Sequence, residues 1–76
     1  MNQHYNLTSE AIATNLASLD SLLRQVALQV QEGCQYIESG NRNAAIGSIV
    51  GLDDTLQDAQ ALLRAVFALH RNGGRF

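Results

Sequence analysis

The side chains that could do chemistry are few in this sequence. It has one cysteine, Cys34, and two histidines, His4 and His70. A nucleophilic cysteine needs a neighbouring base or cation that stabilises the thiolate, and the helical pattern described below places no His or Lys beside Cys34. We therefore expect Cys34 to be a small, half-buried core residue.

The histidines do not form a metal site with other residues of the chain. Neither has a His, Cys or carboxylate three or four positions away that could share an ion with it. The sequence also has no glycine-rich phosphate loop and no Ser-His-Asp arrangement. We predict no catalytic residue, no metal, no cofactor and no enzymatic activity.

The charged residues are also sparse. The chain has five arginines, no lysine and seven acidic residues, so its formal net charge is −2. This balance is too mild for electrostatic binding of nucleic acid. Asp53, Asp54 and Asp58 form a small acidic patch. The patch is either a solvated helix face or the rim of a contact with a basic partner protein.

Two long helices must position these residues. The first is predicted over residues 8–39, after an arm at 1–7, with Thr8 as its N-cap. Its apolar positions alternate in steps of four and three, which is the period of a coiled-coil seam. The seam residues are Ile12, Leu16, Leu19, Leu23, Val26, Val30, Gly33 and Ile37.

The second helix is predicted over residues 42–71, followed by a tail at 72–76. Gly40 suits the left-handed position after a helix, and Asn41 or Asn43 can cap the next one. The second seam has the same spacing and consists of Ala45, Ile49, Leu52, Leu56, Ala59, Leu63, Val66 and His70. Folding the chain about residue 41 pairs seam positions whose numbers sum to 82. The fold class is therefore all-α, a single domain built as an antiparallel two-helix hairpin.

One hairpin does not cover its own seam. Each seam residue is shielded from one side only, and further apolar residues flank the seam. A two-fold homodimer is the simplest source of neighbours, so we predict a homodimeric four-helix bundle. The predicted dimer-interface residues are Leu22, Tyr36, Ile46, Leu62 and Phe67.

The outer side of the second helix breaks the rules of a purely structural helix. Gly47 and Gly51 each cost about 1 kcal/mol relative to Ala inside a helix, and their spacing allows another backbone to approach closely. They are either part of a docking surface or glycines tolerated near a helix start. The predicted partner-binding residues are Leu28, Gly47, Val50, Gly51, Asp53, Asp54, Asp58 and Leu69.

The sequence also suggests a cellular setting. No apolar run approaches the roughly 20 residues of a membrane span, and the N-terminus lacks the features of a signal peptide. A single cysteine allows no intrachain disulfide. We therefore expect a cytoplasmic protein with no membrane contact.

The length, turn position and layered core resemble those of Rop-like helical hairpins, a family of plasmid-encoded regulators. That resemblance implies a dimeric four-helix bundle that binds paired RNA stem-loops. The chain is also similar in type to small phage-encoded inhibitors and antiactivators, which implies a phage or bacterial protein.

Three functional hypotheses follow. The first is a small regulator that binds and inhibits or sequesters an unidentified partner protein. The second is a Rop-like RNA-binding dimer, against which the absence of lysine argues. The third is a purely structural dimerisation module.

Overall fold

The computed structural model describes residues 3–73, and side chains from residue 7 onward. It contains three helices, α1 (Gln3–Glu38), α2 (Arg42–Ile49) and α3 (Leu52–Gly73), and no strand within the described range. α1 packs against both α2 and α3, which run back along it. The Cα atoms span 59 × 17 × 12 Å, so the molecule is one layer of helices thick. The predicted all-α hairpin is confirmed.

The turn between α1 and α2 is built from Gly40 and Asn41. Gly40 has φ +79°, its amide donates to the carbonyl of Ile37 (3.0 Å), and the Asn41 amide donates to that of Tyr36 (2.8 Å). These are the two hydrogen bonds of a Schellman motif. The Asn41 side chain also accepts from the Ala44 amide (3.1 Å), which caps α2. The predicted turn glycine is confirmed, and Asn41 is the cap.

The predicted start of the first helix is wrong. α1 begins at Gln3, so Thr8 lies inside the helix and residues 3–7 are not an arm. No proline or glycine occurs between residues 3 and 8 to end the helix there. Thr8 instead meets the far end of α3, because a Cβ placed on Gly73 would lie 2.6 Å from the Thr8 methyl carbon. Residues 1–2 of the predicted arm lie outside the described residues.

The predicted single helix over residues 42–71 is also wrong. Val50 is extended (φ −60°, ψ 131°) and Gly51 has φ +88°, so the backbone leaves the helix and re-enters it at Leu52. Glycine adopts this left-handed conformation without the steric cost of a Cβ. Gly51 therefore has a conformational role in the break. α3 then extends to Gly73, past the predicted end, and residues 74–76 of the predicted tail lie outside the described residues.

The register of the hairpin agrees with the predicted pairing near both ends. A Cβ on Gly33 would lie 3.6 Å from Cγ2 of Ile49, a pair whose numbers sum to 82. The numbers of Thr8 and Gly73, which meet at the other end, sum to 81. The break at Gly51 does not shift the register, because Ala45 before it and Leu52 after it are both buried against α1.

The two exposed glycines of the second arm provide a matched pair of substitutions. Gly51→Ala should lower the free energy of unfolding by about 1–2 kcal/mol, because alanine is strained at a positive φ. Gly47→Ala should raise it by up to about 1 kcal/mol, because Gly47 is helical and its Cβ would meet no atom within 4 Å. Urea unfolding followed by circular dichroism measures both. Equal effects of the two substitutions would contradict the break at Gly51.

Candidate functional site

The hairpin buries few residues. The buried hydrophobic side chains of the described residues are Ala45, Leu52 and Ala59, which are 4%, 8% and 5% exposed. Gly33 is also buried. This core is small because two helices lying side by side touch along only one strip of each. The surface left outside that strip is the candidate functional site.

The strip of contact uses every second seam position of each helix. These positions recur every seven residues and are buried or half-buried. We call them the contact row. It consists of Ile12, Leu19, Val26 and Gly33 on α1, and of Ala45, Leu52, Ala59 and Val66 on α2 and α3.

The other half of the predicted seam is exposed. Four residues further along from each contact-row position, about 40° round the helix, lies a second apolar row. Its seven apolar members are between 39% and 55% exposed. We call it the open row. It consists of Leu16, Leu23, Val30 and Ile37 on α1, and of Ile49, Leu56, Leu63 and the exposed His70 on α2 and α3.

The open rows of the two arms lie on the same side of the hairpin. Both helices are right-handed and they run antiparallel, so rows displaced in the same rotational sense face the same way. One apolar depression of about 460 Å³ confirms this, because it is lined by Val30 and Ile37 from α1 together with Ile46 and Ile49 from α2. We call this side of the molecule the open face.

Cys34 also lines this depression and is exposed, so the expectation of a half-buried cysteine is wrong. The depression exists because Gly33, Cys34 and Ala45 are small. Its floor and walls are almost entirely carbon, with only Glu38 bringing a charge to its border. A concavity of this kind offers hydrophobic contact.

The opposite side of the hairpin, the closed face, carries a mixture of polar and apolar side chains. There the Gln29 side-chain amide donates to the carbonyl of Ser48 (3.1 Å) and joins α1 to α2. Leu22, Leu62 and Leu69 are half-buried on this side, and Tyr36 is 40% exposed. The predicted dimer-interface residues are thus divided between two faces, because Ile46 (55% exposed) and Phe67 (54%) border the open face.

The predicted partner-binding residues are not gathered into one patch either. Leu28 is 61% exposed on α1, two positions from Val26 and therefore on the side turned away from α2 and α3. Val50 is 71% exposed at the break on the other arm. Gly47 and Gly51 are exposed beside it, whereas Leu69 belongs to the closed face. Their role in partner binding stays a prediction.

The break in the second arm gives the acidic patch a structural explanation that a continuous helix over residues 42–71 would not have. Because α3 begins at Leu52, Asp53 and Asp54 occupy its first turn, where the positive end of the helix dipole favours carboxylates. Asp58 is exposed one turn further on. On α1, Arg24 Nε donates to Asp20 Oδ2 at 2.9 Å, which pairs the helix's one arginine with a carboxylate.

Two further findings concern the described residues. No three of their His, Cys, Asp and Glu side chains come close enough together to hold a metal ion. Among α1, α2 and α3, no helix has both the length and the apolar character needed to cross a membrane.

These features define an all-α helical hairpin with a broken second arm and one open apolar face. Comparison of the chain with protein-family models, with curated proteins and with solved structures gives no match.

The close approach of α1 and α2 at the depression can be tested at Gly33. A Cβ there would already lie 3.3 Å from Ser48 Oγ, so Gly33→Leu should separate the helices and cost about 1–3 kcal/mol of unfolding free energy. Gln31→Leu introduces the same side chain at an exposed position of the same helix, and it should leave the free energy of unfolding within about 0.5 kcal/mol of the parent. Denaturant unfolding of both variants checks the difference, and a neutral Gly33→Leu would contradict the close packing.

Proposed function

We propose that this protein is a non-enzymatic regulator that acts as a homodimeric four-helix bundle and blocks or sequesters a partner protein. The open face carries the proposal. It is a continuous apolar surface at coiled-coil spacing that the hairpin itself leaves uncovered.

The size of the open face supports self-association. The broad side of the hairpin measures 59 × 17 Å, or about 1,000 Å². A stable interface of standard size buries about 800 Å² on each partner. A second copy laid face to face would therefore bury enough surface for a stable dimer. It would also cover the exposed leucines, isoleucines and valine of the open row.

The pattern of residue types points to a second copy in particular. The open row has the same four-three relation to the contact row on both arms, so two copies can continue one coiled-coil packing scheme across the interface. Two-fold dimers are the commonest closed assemblies, and their interfaces use the same patch on both subunits. The polar groups of the open face lie at its borders, where they can stay hydrated.

Partner binding rests on what the dimer leaves exposed. Leu28 and Val50 lie outside the open face, and they are the most exposed large apolar residues after residue 7. Exposed apolar side chains of this kind are contact points that a partner protein can cover. Protein binding is supported over RNA binding because the chain has no lysine and a formal net charge of −2. A phosphate-binding face would need free cations along the helix.

The dimer can be tested by placing charge in the open row. The double variant Leu23→Lys/Leu56→Lys should sediment as a monomer at concentrations where the parent has twice the chain mass of 8.2 kDa, because a buried unpaired charge opposes association. Leu28→Lys introduces the same charge away from the open face and should stay dimeric. Sedimentation equilibrium measures all three. A parent that is monomeric and folded at micromolar concentration contradicts the proposed dimer.

Partner binding needs a separate variant. Leu28→Asp/Val50→Asp should keep the dimer mass and the helical circular-dichroism signal but lose the protein that the tagged parent retains from a lysate of its source. Ala17→Asp, a change at another exposed position of α1, should retain it. Binding of a structured RNA that weakens steeply with salt would instead support the Rop-like alternative. A dimer that retains neither ligand is a structural module.

A further inference from the structure

We propose that in the dimer the two-fold axis runs along the helices, so that α1 of each subunit packs against α2 and α3 of the partner subunit. This arrangement rests on the proposed function, because it assumes that the open faces of two copies meet. It names the pairs of helices that touch, which dimerisation alone does not.

The evidence lies in the two borders of the open face. One residue after each contact-row position, about 100° round the helix, lies an edge row that points straight out of the open face. All eight of its members are exposed. On α1 the edge row consists of Ala13, Asp20, Ala27 and Cys34. On α2 and α3 it consists of Ile46, Asp53, Gln60 and Phe67.

The two edge rows differ in side-chain volume. The α1 row is small, with two alanines and a cysteine, whereas the other row carries Ile46 and Phe67. When two open faces meet about a two-fold axis, only two pairings of edge rows are available. An axis across the helices sets each row against its own copy, and an axis along the helices sets the small row against the large one.

Packing favours the axis along the helices. The other choice puts small residues opposite small ones on one flank and Ile46 opposite Phe67 on the other. That would leave a void on the first flank and crowd the second. The chosen axis gives both flanks the same filling, with a large residue against a small one at each end of the flank, as a well-packed interface requires.

The register supports the same choice. A two-fold axis along the helices permits no sliding, so the levels of facing residues are set by the hairpin itself. Facing edge-row residues then have numbers that sum to 80, close to the 82 of Gly33 and Ile49 within the hairpin. Cys34 meets Ile46 of the partner subunit, and Ala13 meets Phe67 of the partner subunit. Asp20 meets Gln60 of the partner subunit, whose amide can donate to the carboxylate.

The single native cysteine provides the test. A disulfide needs Cα atoms about 4.4–6.8 Å apart. In the proposed arrangement, oxidised Ile46→Cys should form a covalent dimer through Cys34, visible on a non-reducing gel. Ala13→Cys should not, because residues 13 and 34 of the two subunits are 21 positions apart along the axis, or about 31 Å. An axis across the helices predicts the reverse, because it brings residues 13 and 34 together.

Two controls complete the experiment. The parent should remain uncrosslinked, because its two Cys34 residues lie on opposite flanks of the bundle. Adding Leu23→Lys/Leu56→Lys to Ile46→Cys should abolish the covalent dimer if it forms within the non-covalent one. In a protein that sediments as a dimer, cross-linking of Ala13→Cys alone, of both variants or of neither overturns the arrangement. A parent that sediments as a monomer overturns the proposed dimer as well.

Discussion

The geometry of two adjacent helices is the constraint on which this structure depends. Two cylinders in contact cover only a narrow strip of each surface, however regular their apolar stripes are. Here that strip comprises the contact rows and the half-buried residues beside them on the closed face. In this protein those rows meet through small residues, Gly33, Ala45 and Ala59, with Leu52 between the alanines. The small residues bring the helices close, but they bury little apolar area. Other large residues of each stripe, Leu16 and Leu56 among them, are left facing solvent.

Much of the hairpin could be predicted because its signals are local and strong. Gly40 and Asn41 together predict the turn, because Gly40 tolerates a positive φ and the Asn41 side chain caps the next helix. The four-three spacing gives the helical faces, and the turn position then gives the register. The four-three spacing does not indicate which half of an apolar stripe is covered by the other arm of the hairpin. The sequence expectation therefore placed all sixteen seam residues in one interface, although only the contact row lies there.

The break at Gly51 escapes prediction from the helical pattern for a different reason. A glycine inside a helical pattern either costs about 1 kcal/mol in a continuous helix or takes a left-handed conformation that ends the helix, and the pattern alone does not separate the two outcomes. The neighbouring signal was available. Asp53 and Asp54 are typical of a first helical turn, and they follow Gly51 at the distance that a new helix start requires. The same two aspartates also suit the rim of a contact with a partner protein, so they do not by themselves indicate a helix start. At α1 the error is the opposite one, a helix start predicted where the helix continues. Thr8 suits an N-cap, but no residue just before it ends the helix.

The division between contact row and open row also bears on how folding and association are related. A hairpin whose buried apolar side chains, among the described residues, are Ala45, Leu52 and Ala59 gains little free energy from its own core. In the proposed dimer the open row becomes the centre of the bundle, where the apolar residues of the two subunits pack together. Most of the hydrophobic stabilisation then comes from association, and the stability of the fold depends on protein concentration by mass action. Under this proposal the most regular apolar residues serve assembly, and contact with another protein is assigned to irregular positions such as Leu28 and Val50.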